Sequence, residues 1–180
     1  MAVSRYDLFQ RSRMADKPTT SREIVAAIRK KYGNPYQGHK WACFEEMRMG
    51  TGWGTGVDQR IDLWVMGMWA SNQLSRIAYE VKMSRADFRK ELKQPLKRRQ
   101  ALRVSNLFFF AAPYDLIAPE EVPIECGLIE FGYVGEGESR RLEQITTVPA
   151  PFRDTGPPNW TFVAALCRRV EAECSREEAP

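Results

Sequence analysis

The sequence predicts a single α/β domain in which a central mixed β-sheet is flanked by helices. Short apolar, β-prone segments alternate with segments whose apolar residues recur at helical spacing, which is typical of an α/β protein. The fully apolar run at residues 107–112, bounded by Asn106 and Pro113, indicates a strand that is buried on both faces of a sheet. A chain of 180 residues has the size of one domain and can bury a core without disulfides.

The boundaries of this domain are predicted from polarity at the two ends of the chain. Residues 1–19 are polar and predict a flexible arm, residues 20–176 the folded domain, and residues 177–180 a frayed tail. The arm lacks the apolar stretch of a secretory signal, and no run of 18 apolar residues predicts a membrane helix. We therefore expect one cytoplasmic domain without a membrane partner.

The N-terminal part of the domain is predicted to be helical. A first helix starts after Thr20 or Ser21, either of which can cap it, and stops near residues 33–35. A second helix is predicted at residues 40–49. The glycine-rich sequence GTGWGTG follows, and it lacks the pattern of a phosphate-binding P-loop, so it predicts a flexible connection.

A β-hairpin and two further helices are predicted next. The hairpin strands cover residues 59–69 and 76–83. Ser84 is expected to cap the following helix, and Pro95 to open another helical stretch. The remaining predicted elements are the strand at 107–112, a turn at 119–121, strands that begin at Gly127 and Arg140, and a last helix from near Asn159.

The cysteines predict reduced thiols. They are Cys43, Cys126, Cys167 and Cys174, none of which lies in a C-x-x-C pair, and the one histidine is His39. A structural zinc site needs clustered thiolate and imidazole ligands, so this composition disfavours one. An oxygen-ligand site for magnesium is not excluded.

Positive charge is concentrated after the hairpin, although the net charge of the chain is only +4. Residues 82–103 hold nine Lys or Arg and two acids. Such clustering is typical of nucleic-acid binding, because each neutralised phosphate releases counterions. A solvated helix face would carry the same charges, and the charge pattern leaves both interpretations open.

Two predicted strands each carry an acid within an apolar stretch. Because side chains alternate along a strand, Glu80 and Lys82 project to the same side, and hairpin pairing brings Asp62 to the same edge. A buried acid is costly unless a cation compensates it, so these residues predict a site for a hard cation. The alternative is that Asp62 merely ends the glycine loop and that Glu80 and Lys82 form a solvent-facing pair.

These residues resemble the core of the PD-(D/E)XK nucleases. Asp62 precedes Glu80-Val81-Lys82 by eighteen residues, as in the D…(D/E)-x-K pattern. The segment EVKMSRADF is similar to the E-[IV]-K-x-S-x-x-D-[FW] segment of MmcB-like DNA-repair endonucleases and related phage and bacterial proteins. Upstream, FEEMRMGTG is similar to their F-E-x-x-R-x-G-T-G pattern. The resemblance covers about residues 20–170.

The resemblance implies a restriction-endonuclease-like fold and a Mg²⁺- or Mn²⁺-dependent nuclease of a bacterial or phage-infected cell, acting on DNA in repair, recombination or phage DNA processing. Asp62 and Glu80 would ligate the metal together with the backbone carbonyl of Val81. Lys82 would orient or deprotonate the attacking water and stabilise developing charge. Glu46, on the predicted second helix, would be a further catalytic acid.

Several residue roles remain open under this resemblance. Glu45 is the alternative to Glu46. Ser84 and Asp87 match the family segment, but a helix-capping role explains them better. The expected DNA contacts are Arg85, Arg89, Lys93, Lys97, Arg98, Arg99 and Gln100.

Two other functions compete with the nuclease. One is a nuclease-fold protein that binds DNA without cutting, and the other is a phage accessory protein that acts through contacts alone. In the second, Trp53, Trp64 and Trp69 would form the contact surface, although tryptophans more often lie in a core. The sequence leaves open DNA versus RNA, and the oligomeric state, a homodimer included.

Overall fold

The computed structural model describes residues 14, 16–18, 20–33, 40–48 and 60–177. These residues form one α/β domain with a six-stranded mixed sheet flanked by four helices, which confirms the predicted fold class in general terms. None of the described helices is long and apolar enough to cross a membrane. The glycine-rich loop, His39 and Trp53 lie outside the described residues.

The strands follow one another in the sheet in the order in which they occur in the chain. β3 pairs in parallel with β4, and β4 with β5, whereas the other neighbouring strands are antiparallel. The parallel step from β3 to β4 is made through helices α2 and α3, as a parallel connection requires a crossover. The elements are α1 (Ser21–Tyr32), β1 (Trp41–Arg48), β2 (Arg60–Gly67), β3 (Arg76–Val81), α2 (Arg85–Leu92), α3 (Pro95–Val104), β4 (Leu107–Pro113), β5 (Gly127–Val134), β6 (Arg141–Val148) and α4 (Trp160–Glu177).

Apolar clusters cover both faces of the sheet. On one face, residues of α2, α3 and α4 pack with Trp64 and Phe110 of the sheet. On the other face, Ile24 and Ile28 of α1 pack on the strands. β4 contributes to both clusters, which confirms that the run at residues 107–112 is a central strand buried on both sides.

The predicted helix at residues 40–49 is wrong, because this segment is strand β1. Glu45 and Met47 favour helices in isolation, but the segment pairs with β2 from Trp41 to Arg48, except at Glu46. Up to Phe44 its side chains alternate between the two clusters, with Trp41 and Cys43 on one face and Phe44 on the other. Pairing and burial therefore override the local preference for a helix.

Most predicted element boundaries are confirmed to within two residues. The Thr20 hydroxyl caps α1 by accepting a hydrogen bond from the Glu23 N–H at 3.3 Å, so the cap is Thr20 and not Ser21. Ser84 caps α2, and Pro95 is the first residue of α3. Local capping chemistry therefore fixes the helix starts around the sheet.

Part of the predicted flexible arm instead packs against the sheet. Met14 is buried against Val134 and Ile145. The Tyr133 N–H donates to the carbonyl of Asp16 at 2.8 Å, beyond the point where β4 ends. The folded part of the chain therefore begins before residue 20.

Candidate functional site

The acids Glu46, Asp62 and Glu80 lie on the neighbouring strands β1, β2 and β3. Glu45 pairs with Leu63 and Met47 with Ile61, so Glu46 lies between two β1 residues whose partners flank Asp62. The β2–β3 register, continued one residue beyond the Leu63–Tyr79 pair, sets Asp62 opposite Glu80. The antiparallel pairing thus brings the predicted acids of the hairpin to one end of three neighbouring strands.

The Asp62 carboxylate is held in place by the backbone of the neighbouring strand. Its Oδ2 accepts a hydrogen bond from the Val81 N–H at 2.6 Å. Burial raises the pKa of Asp62, although the Val81 hydrogen bond and the charge of Lys82 lower it. The charge of Glu46 raises the pKa further, which is the electrostatic sign of crowded acids.

Glu80 is an acid of the site whose pKa is strongly raised. Its Oε1 accepts a hydrogen bond from Lys82 Nζ at 3.0 Å. Burial, followed by the charge of Asp62, raises the pKa of Glu80 to about 7 in spite of the lysine. Burial and the neighbouring carboxylate therefore both disfavour the charged form of Glu80.

Lys82 is buried among carboxylates. Its side chain is 5% exposed, and its Nζ lies 3.0 Å from Glu80 Oε1, 3.6 Å from Asp87 Oδ2 and 3.6 Å from Glu91 Oε2. Burial lowers the pKa of Lys82, but the three carboxylates outweigh burial and raise it. The lysine is therefore held as an ammonium ion.

Neither Glu91 nor the network behind it was expected from the sequence. Arg98 approaches the Glu91 carboxylate at 3.9 Å and pairs with Glu125 at 3.3 Å, so a chain of charges extends from Lys82 to the loop before β5. One signal was available: Asp87 and Glu91 are one helical turn apart, so both can face the same lysine. The partner in the loop, Glu125, carries no comparable signal.

The donor set fits a divalent cation with few protein ligands. Asp62 and Glu80 supply hard oxygen donors, and Mg²⁺ is commonly held by one or two carboxylates together with substrate phosphates. Within the described residues, Asp62 Oδ1 and Glu80 Oε2 accept no hydrogen bond. In that part of the chain, no group of three or more His, Cys, Asp or Glu could hold a metal, and the Val81 carbonyl is the further ligand that the resemblance implies.

The expectation that Glu46 or Glu45 reaches the site from a helix is wrong, because both lie on β1. Glu46 has a φ of 49°, which interrupts the strand, and its exposed carboxylate lies 3.7 Å from Arg60. Glu45 pairs with Arg29 of α1 at 2.6 Å. Of the two, Glu46 is the one whose charge acts on Asp62.

The predicted DNA contacts are in different situations. Arg98 is not available as a surface contact for DNA, because its side chain is 4% exposed and its guanidinium is paired with acids. Arg85 binds the Glu121 carboxylate through both terminal nitrogens. Exposed positions of the set are Arg89, Lys93 and Arg99, Gln100 is half-buried, and the Lys97 side chain lies outside the described part of the structure.

The tryptophans do not form one surface. Trp64 is 1% exposed, and its indole N–H donates to Ser105 Oγ at 3.1 Å. Trp69 is 60% exposed, at the turn between β2 and β3. Trp64 is therefore part of the core and cannot belong to a contact surface with Trp69.

The raised pKa of Glu80 predicts that the protein without divalent metal loses stability as pH rises. The folded state binds this proton more tightly than the unfolded chain, whose ordinary value is 4.5, so the favourable contribution is present below pH 4.5 and is lost as pH rises through about 7. Glu80→Gln is neutral throughout and should remove this loss. Urea unfolding of both proteins in EDTA at pH 5 and pH 8 measures it, and parallel pH profiles would contradict the assignment.

Comparisons with known proteins do not identify a function for this chain. No family model matches the chain, and no curated protein matches it. Among solved structures, a protein of unknown function from Silicibacter pomeroyi is similar over 80% of this chain and 86% of its own, with 21% identity and a TM-score of 0.48.

Proposed function

We propose that this protein is a divalent-metal-dependent nuclease of the PD-(D/E)XK type that hydrolyses phosphodiester bonds in DNA. The observation that carries the proposal is the placement of Asp62 and Glu80 on neighbouring strands, where the Val81 N–H donates to Asp62 at 2.6 Å and Lys82 donates to Glu80 at 3.0 Å. These are the residues through which the sequence resembles the nuclease core. Their proximity supports a common site.

The charge repulsion between the Asp62 and Glu80 carboxylates supports the binding of a divalent cation. Burial and the charge of Asp62 raise the pKa of Glu80 to about 7, because one lysine does not neutralise two crowded carboxylates in a poorly solvated place. A divalent cation between them would remove the repulsion. When bound, Mg²⁺ or Mn²⁺ would acidify a water molecule and neutralise charge on the scissile phosphate.

The protein side chains divide the remaining work. Asp62 is already oriented by the Val81 N–H, so one of its oxygens is fixed and the other remains available. If Glu80 turns towards a cation, Lys82 keeps Asp87 and Glu91 as partners and stays charged. Its ammonium group then acts as a hydrogen-bond donor to the water or to the phosphate, and the three carboxylates argue against its acting as a base.

A second candidate is a protein of the same fold that binds nucleic acid without cutting it. The observation that favours it is the small number of metal ligands, because no third acid joins Asp62 and Glu80 among the described residues. Such a protein could still bind a metal weakly. It would differ from the nuclease by showing no turnover.

The proposal is tested by metal binding and DNA cleavage with the same preparation. We expect the parent to bind Mg²⁺ or Mn²⁺ in a calorimetric titration, and Asp62→Asn to bind at least about tenfold more weakly, since half the negative charge of the site is lost. Only the parent with metal should cut DNA, and EDTA should stop it. The exposed Glu138→Gln is the matched amide control and should behave as the parent.

Two results would contradict the nuclease. If the parent and Asp62→Asn bind metal equally, the carboxylates are not the ligands. If metal binds through Asp62 and no DNA substrate is cut, the non-cutting candidate is correct.

A further inference from the structure

A groove of about 730 Å³ lies between helix α1 and strands β1 and β2. Its sheet side carries Asp62, Glu46 and Glu45. Asp62 is also one of the proposed cation ligands, so the groove is an approach from solvent to the candidate site. A ligand that reaches the site from this side must pass along α1.

The α1 side of the groove is positively charged. Arg22 and Arg29 are seven residues apart, which places them two turns apart on one face of the helix, and Lys30 lines the groove beside them. All three side chains are exposed. Arg29 pairs with Glu45, whereas Arg22 and Lys30 form no ion pair with any described residue.

This arrangement of charge fits a chain of phosphates. A cation held by Asp62 would neutralise the acidic side there, and a phosphate could then approach it while the neighbouring phosphates contact the cationic helix. Between the cations, the helix presents the small apolar side chains of Val25 and Ala26. Among the described residues no aromatic side chain lines the groove, so the contacts that these residues offer suit a phosphate backbone rather than stacked bases.

The size of the groove favours a single strand. Its volume is in the range of small-molecule sites, which a duplex cannot enter. The Asp62 side chain is half-buried in the groove rather than fully exposed. An unpaired strand can bring a phosphate to such a carboxylate without the width of a duplex.

We infer that the groove between α1 and the β1–β2 pair binds the phosphate backbone of a single nucleic-acid strand, with Arg22 and Lys30 as phosphate contacts. This inference rests on the proposed function. It moves the substrate path away from the basic stretch at residues 82–103. There, Arg98 is buried, and Arg85 is held by Glu121.

The test is binding of short fluorescent oligonucleotides by the full chain, with Ca²⁺ in place of Mg²⁺ to suppress cutting. Arg22→Glu should weaken single-strand binding at least about tenfold and lower the salt slope by about 0.7 per lost contact. Lys31→Glu is the matched control, because Lys31 lies on the same helix but lines a different groove, beside β6. An acid at position 22, in the first turn of α1, suits the helix dipole, so this variant should remain folded.

Each outcome decides the inference. A large loss with Arg22→Glu and a change within about twofold with Lys31→Glu support the groove, since only a local contact separates two equal charge reversals. Equal losses, or none, would overturn it. Tighter binding of duplex than of single strands would overturn the single-strand assignment.

The two proposals can fail separately. If the parent cuts DNA and Arg22→Glu cuts equally well and binds equally well, the nuclease stands and the groove is wrong. If binding depends on Arg22 but no substrate is cut with Mg²⁺ or Mn²⁺, the groove stands and the nuclease is wrong.

Discussion

Lys82→Ala should lower the rate of DNA cleavage by about 10²–10³-fold while leaving divalent-metal binding largely intact. The reason is a division of roles between the carboxylates and the lysine. Asp62 and Glu80 supply the negative charge that would hold a cation, and Lys82 holds none. Its ammonium group lies 3.0 Å from Glu80. In the proposed mechanism it would supply positive charge where negative charge develops in the transition state.

Nicking of supercoiled plasmid, single-stranded DNA and branched DNA measures this effect, with parent and variant purified identically. Lys31→Ala is the matched control, because Lys31 is exposed at the end of α1 and lines a different groove, beside β6. A calorimetric metal titration should give similar affinities for the parent and Lys82→Ala. Equal cleavage by both would point to a contaminant or to another site, and the role assigned to Lys82 would be wrong.

Arg98→Glu should destabilise the protein by about 3–5 kcal/mol, the cost of breaking a buried ion pair by removing one partner. Arg98 is 4% exposed, donates to the Glu91 carbonyl at 3.1 Å and lies over the Phe110 ring at 5.9 Å. A glutamate there would face the carboxylates of Glu91 and Glu125 without a cation. Loss of packing under the guanidinium adds to the repulsion.

Urea unfolding of Arg98→Glu and Arg99→Glu separates the effect of burial on the free energy of unfolding from the effect of charge reversal alone. Arg99 is the next residue on α3 and is exposed, so the same charge reversal should cost within about 0.5 kcal/mol. Similar midpoints for the two variants would contradict the buried network. Any loss of DNA binding by Arg98→Glu has to be interpreted with this loss of stability in mind.

The fold class could be predicted because its signals are local. The central strand is marked by an uninterrupted apolar run, and helix starts are marked by Thr20, Ser84 and Pro95, whose effects extend over only a few residues. β1 could not be predicted in this way. Glu45 and Met47 favour a helix locally, and only β2, which is distant in sequence, supplies the hydrogen bonds of a strand.

The proximity of Asp62, Glu80 and Lys82 could be predicted from the sequence, but the residues around them could not. Alternation along a strand was enough to associate Glu80 with Lys82, and hairpin pairing to bring Asp62 near them. The partners of the basic stretch could not be read in the same way. In the sequence, Arg98 looks like one more positive charge of the basic stretch. Its ion-pair partner Glu125 lies 27 residues away, where no local pattern indicates the pairing.

The packing of Met14 and Asp16 on β5 has a consequence for the order of folding. Asp16 pairs with Arg140, 124 residues later in the chain, so this contact closes a far larger loop than any hairpin of the sheet. Such contacts form late because their loop-closure entropy is unfavourable until the rest of the chain is ordered. The segment with Met14 and Asp16 should therefore dock last, and the Tyr133 amide should gain protection in pulsed hydrogen exchange only after the amides of β3 and β4.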